Sequence, residues 1–208
     1  MSANENEKEQ APAASTAPKS ERGFIEGEHV VLRPVLEADF GELAPLLAAN
    51  PYAEKQLPWT QQRLKQRYED KDEPGLWGKR ERYYVIVRKT GGVAGFLMQN
   101  GEDRDSSWCR MYVDEAAADR DVLGREALSG YLAYMRRWKD PGRITFDVLS
   151  LEEEAISWLE ATGFEHEVTI ERAALYRGRP ETLKVYAWLS ERVKANLADD
   201  GPVAGEEV

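Results

Sequence analysis

One cysteine, two histidines and no long apolar run are what this 208-residue chain has least of, and each scarcity excludes a class of protein. Cys109 has no second thiol, so no intramolecular disulfide staples the chain. Its setting in SSWCRMYVDE, with Trp108 and Met111 nearby, suits a buried strand, where a thiol is inert. His29 and His166 are far apart, and neither has a His or Cys at ligand spacing, so no metal is expected. A membrane span takes about 20 consecutive apolar residues; nothing here approaches that, and no membrane partner is expected. MSANENEKEQAPAASTAPKSER has neither the basic nor the apolar region of a secretory signal. A reducing cytoplasm is the expected compartment. G-x-S-x-G, Walker and G-x-G-x-x-G patterns are missing as well.

Positive charge is also short, with 28 bases against 38 acids and a net charge of −10. Met1–Arg22 holds four acids and three bases, and Asn196–Val208 holds four acids and no base, which leaves −5 on the body from Gly23 to Ala195. An acidic body lacks the broad basic face that phosphate backbones require, so no nucleic-acid partner is expected. It would draw in a cationic amine more readily than an anion. Both ends are poor in large apolar residues and rich in Ala, Pro, Glu, Ser and Asp. Disordered tails at 1–22 and 196–208 around a single domain at 23–195 are therefore expected.

What is present is a pattern whose period keeps changing. HVVLRPV reads as a strand ending at Pro34, and EADFGELAPLLAAN as a helix burying Phe40, Leu43, Leu46 and Leu47. PWTQQRLKQRYEDKDEPG reads as a polar helix. Two apolar runs around Gly-Gly in RYYVIVRKTGGVAGFLMQN are a hairpin signal. SSWCRMYVDE is a further strand, and Val122–Trp138 a helix with the stripe Leu123, Ala127, Leu128, Tyr131, Leu132, Met135. GRITFDVLS, EEEAISWLEATGF, EVTIERAALYRG and ETLKVYAWLSE then read as strand, helix, strand and strand. The expected order is β α α β β β α β α β β.

That order resembles the GNAT superfamily of N-acetyltransferases, closest in pattern to the group that acetylates ribosomal-protein N-termini. The resemblance runs from about Phe24 to Val193 and is carried by HVVLRPVLEADFGEL, YYVIVRKTGGVAGFL, GREAL, SWLEATGFEHE and LYRGRPETLKVYAWL. It implies an α/β (α+β) fold: a mixed, mostly antiparallel, splayed sheet of six to seven strands flanked by helices. It implies acetyl-coenzyme A as co-substrate, lying where two strands part, and direct attack by a primary amine of a small molecule or a protein. A catalytically silent binding or interaction domain of the same fold is the alternative.

In this family the turn after the fourth strand reads R/Q-x-x-G-x-G/A, which lets backbone N–H groups converge on a diphosphate at a helix N-terminus. Aligned on GREAL, Asp119 stands at the first motif position, Val122 at the first glycine and Gly124 at the last. Backbone donors survive any substitution but proline, so Arg120, Val122, Gly124 and Arg125 are candidate coenzyme contacts, with the guanidinium groups adding positive charge. Asp119 and Asp121 oppose an anion, and an acidic helix cap is the competing reading of the same stretch. The backbone of Met111, Tyr112 and Val113 is the candidate pantetheine ladder.

No catalytic residue is assigned. Glu152 and Leu159 replace the Asn and the Tyr acid that family members commonly carry, and leucine donates no proton. Glu102, Asp103, Asp105, Asp114 and Glu115 flank the relevant strand as candidate bases, and Tyr112 and Tyr176 are candidate proton donors. The acceptor would border 51–79, and Trp59 or Trp77 would mark an acceptor pocket or a dimer face, so monomer and homodimer both stay open.

Overall fold

The computed structural model describes residues 25–50, 60–69, 81–100 and 105–199. Strands β1 (Ile25–Glu26), β2 (Val30–Pro34), β3 (Glu81–Arg88), β4 (Val93–Asn100), β5 (Ser106–Val113), β6 (Arg143–Leu149), β7 (Glu165–Tyr176) and β8 (Arg179–Leu189) make one sheet, ordered β1-β2-β3-β4-β5-β6-β8-β7. Every pairing is antiparallel except β5 with β6. Helices α1 (Phe40–Ala49), α2 (Gln61–Tyr68), α3 (Arg120–Trp138), α4 (Glu153–Ala161) and α5 (Glu191–Asp199) complete the fold. Among the described residues the sheet has eight strands, against the six to seven expected.

Alternation along the strands divides the molecule into two cores. Leu32, Tyr84, Ile86, Leu97, Cys109 and Val113 point to one face and pack on α3 and α4. Tyr83, Val85, Phe96, Met98 and Tyr112 point to the other, beneath Phe40, Leu43 and Leu47 of α1 and Leu64 of α2. All six residues of the expected α3 stripe are buried, each large one contributing about 1.5–3 kcal/mol of apolar burial. Leu46 of α1 is the one expected core residue left only partly buried.

Local chemistry sets several boundaries. Arg33 grips both carboxylate oxygens of Asp39 at 2.7 Å, and Asp39 also accepts the Leu36 N–H, so the turn from β2 into α1 is pinned. Gly91 and Gly92 carry φ of 103° and 86° in the β3–β4 turn, a conformation that favours glycine. Thr60 caps α2 by accepting the Arg63 N–H. Helix α3 starts at Arg120, two residues before the expected Val122, because Asp119 already accepts the Leu123 N–H. Helix α5 runs to Asp199. The tails at 1–22 and 200–208, Trp59, Trp77, Glu102 and Asp103 lie outside the described residues.

Candidate active site

β5 and β6 run parallel from Ser106↔Arg143 to Cys109↔Phe146, and there their pairing stops. β5 continues through Arg110–Val113 still bonded to β4, while β6 continues through Asp147–Leu149 still bonded to β8. The sheet therefore forks toward the C-terminal ends of both strands. Asp114 N–H bonds to Ala94 C=O at 2.9 Å. Antiparallel alternation then turns Tyr112 and Arg110 toward β4, and turns the N–H and C=O groups of Met111 and Val113 into the gap. Of the three strand residues proposed from sequence, two thus have main chain facing the gap. Tyr112 instead buries its side chain under α1 and α2.

The mouth of the fork is the start of α3. Arg120 N–H bonds to Ala117 C=O and Leu123 N–H to Asp119 C=O, whereas the N–H groups of Asp121 and Val122 have no backbone partner among the described residues, as the first turn of a helix requires. Both residues are exposed, Val122 at 47 %. The two acids that argue against an anion here are drawn aside. Arg88 donates to Asp119 at 3.1 Å, and Arg125 to Asp121 at 2.9 Å. Those guanidinium bonds hold both carboxyls below their ordinary range, with the Trp158 indole adding to the effect at Asp121. What remains is a rim of near-neutral ion pairs around free backbone donors.

Gly124 lets α3 pack closely on α4. A Cβ at 124 would lie 2.5 Å from the ring of Trp158 on α4. That indole is 1 % exposed and donates Nε1–H to Asp121 at 2.8 Å. Arg125, besides holding Asp121, donates to the Ser157 hydroxyl at 3.0 Å. Arg120 spans the gap: its Nε donates to Val113 C=O at 3.3 Å, its Nη1 to Glu154 of α4, and its guanidinium lies 5.5 Å from the Trp158 ring centre.

On the other face of the sheet, the crotch of the fork is held by a group that sequence reasoning missed. Asp147, whose side chain is 1 % exposed, accepts from Arg110 Nε at 2.8 Å and from Trp108 Nε1 at 2.8 Å. The available signal was an acid inside the strand pattern GRITFDVLS, on the same face as Thr145.

The remaining candidates separate by position. Asp105 pairs with Arg192 at the opposite end of β5 from the gap, so it is too remote to serve as base there. Asp114 caps its own turn through the Ala116 N–H. Burial pushes the Tyr112 phenol up to about 12, with Glu115 and Asp114 adding to it, so it stays protonated at neutral pH. Tyr176 sits at the tip of the β7–β8 hairpin beneath Arg177. Leu159 is buried in the core. Burial likewise pushes the Cys109 thiol up to about 12, in keeping with an inert strand position. His29 bonds Glu126 and His166 bonds Thr169. Among the described residues no group of three or more His, Cys, Asp or Glu is placed to hold a metal ion, and no helix is long and apolar enough to cross a membrane.

No family model and no curated protein matches the sequence. Solved structures do match the fold. The ribosomal-protein-S5-alanine acetyltransferase of Vibrio fischeri aligns with a TM-score of 0.64 at 19 % identity, over 80 % of this chain and 96 % of that one. The spermidine N-acetyltransferase of Vibrio cholerae, in complex with CoA and spermine, aligns at 0.62 and 15 % identity, over 80 % and 98 %. A GNAT-family acetyltransferase of Bacillus anthracis aligns at 0.62 and 12 % identity, over 79 % and 97 %. The splayed mixed sheet expected from sequence is thus the GNAT acetyltransferase fold.

Proposed function

We propose that this chain is an acetyl-coenzyme A-dependent N-acetyltransferase acting on a primary amine of a small molecule or a protein in the cytoplasm. The observation that carries the reading is the fork itself. Main-chain groups of Met111 and Val113 face a gap at whose mouth the Asp121 and Val122 amides have no backbone partner among the described residues. The first set matches the amides of a pantetheine arm, the second a diphosphate, which the helix dipole also favours. The thioester supplies the acetyl group, and a neutral amine attacks it directly. The chain's own contribution is positioning, which by itself accounts for large rate effects when reacting atoms are held in contact. The binding of spermine and the ribosomal-protein acetylation named for the similar structures support an amine acceptor.

The silent-domain reading has one observation in its favour: Leu159, where the family's proton donor would stand, is sealed in the core. Calorimetric titration with acetyl-coenzyme A, on the wild type and on Val122→Glu, separates the two. The variant places a carboxylate among the first-turn amides, a position that suits the helix dipole and leaves folding intact. Micromolar binding by the wild type that the variant loses is the expected result. A folded wild type that takes up no coenzyme at millimolar concentration overturns the acetyltransferase reading in favour of the silent domain.

A further inference from the structure

Arg120 reaches from β5 to α4, and its partners are of unequal kind. On the β5 side it donates to a main-chain carbonyl, Val113 C=O. On the α4 side it lies near the face of buried Trp158 and bonds to Glu154, a carboxylate 48 % exposed, while Arg120 itself is 18 % exposed. The guanidinium therefore stays at the mouth of the gap whatever Glu154 does, fixed by the backbone and the indole. Glu154 is a solvated acid on a rotatable stem, and an exposed ion pair of this kind contributes little. A diphosphate beside the Asp121 and Val122 amides would offer the same guanidinium two negative charges, in the bidentate geometry that arginine suits.

We propose that Arg120 is an exchangeable phosphate ligand, held by Glu154 in the free protein and passed from that carboxylate to the diphosphate of the acyl donor on binding. The exchange rests on the coenzyme reading above and adds a selectivity to it. Glu154 competes for the site with donors that carry phosphate and leaves phosphate-free thioesters unaffected. It also explains how a turn lacking the family's Arg or Gln at residue 119 retains a cationic contact, now supplied from the next residue.

The test measures acetyl-coenzyme A and S-acetyl-pantetheine, which carries no phosphate, against the wild type, Glu154→Gln and Arg120→Gln. Glu154→Gln removes the competitor and is expected to tighten acetyl-coenzyme A binding about threefold, the size of an exposed ion pair, with S-acetyl-pantetheine unchanged. Arg120→Gln is expected to weaken acetyl-coenzyme A about tenfold, the scale of one charge-assisted bond, again sparing the phosphate-free ligand. Equal effects on both ligands, or none from Glu154→Gln, overturn the exchange and leave Arg120 as a structural tie. A wild type that binds neither ligand overturns the coenzyme reading and the exchange with it. Because Glu154 is a surface residue, its variant keeps the result readable if Arg120→Gln does not fold.

Discussion

Gly124 and Trp158 are complementary in shape: the indole of one occupies the volume that a Cβ on the other would need, 2.5 Å away. Asp121 and Arg120 hold that ring in place, so it is not free to swing aside. Alanine normally gains about 1 kcal/mol over glycine within a helix, but overpacking a tight contact costs about 1–3 kcal/mol. Gly124→Ala is therefore expected to lower stability, read as a reduced urea midpoint at constant slope. Trp158→Leu leaves a cavity and destabilises by about 3 kcal/mol. In that background Gly124→Ala becomes stabilising, a change of sign that a double-mutant cycle detects. Additive effects would show that the two residues do not share the space.

The Asp147 carboxylate ties the fork together at the point where the strands separate. It is buried, accepts from Arg110 and Trp108, and joins side chains of β5 to β6 one residue past the last bridge. Removing one partner of a buried pair leaves the other charge uncompensated, at a cost of about 3–5 kcal/mol. Asp147→Ala should show that loss in urea unfolding. Asp147→Asn keeps an acceptor for Trp108 and should lose less. Equal, small losses for both variants would mean that the pair is effectively solvated through the exposed side of Arg110.

Features that repeat along the chain were legible from it. The α3 stripe from Leu123 to Met135, the Gly-Gly hairpin and the order from β2 to β8 follow from spacing alone, because apolar burial imposes a period on each element. Two-residue β1 and helix α5 are too short or too polar to impose one. The site divides in the same way. Met111 and Val113 could be proposed from the strand alone, because any residue can present a backbone to a gap. Arg110–Asp147 and Asp121–Trp158 each join residues 37 apart, and nothing in either local segment announces its partner. The charge at Asp119 and Asp121 was read as hostile to an anion because Arg88, 31 residues upstream of Asp119, is invisible as its counterion until the chain is folded.

Burial also makes a prediction at high pH. Tyr83, Tyr84, Tyr112, Tyr131 and Tyr186 all have phenols pushed above the ordinary value of 10.0, desolvation being the largest cause in each. Tyr186 reaches about 12 and donates to Glu160, a bond that exists only while the phenol keeps its proton. A folded value raised above the unfolded one favours the protonated form of the native state. The corresponding stability is complete below pH 10 and drains away as pH climbs through the folded values. At about pH 11 the native protein should show phenolate absorbance from no more than four of its nine tyrosines, and the urea-unfolded chain from nearly all of them. As pH rises past 12, unfolding and the remaining ionisation should arrive together, since each proton lost from a buried phenol favours the open chain. Ionisation of all nine at about pH 11 with circular dichroism unchanged would mean that water reaches the two cores, and the packing that places Tyr84 against Tyr131 of α3 would have to be redrawn.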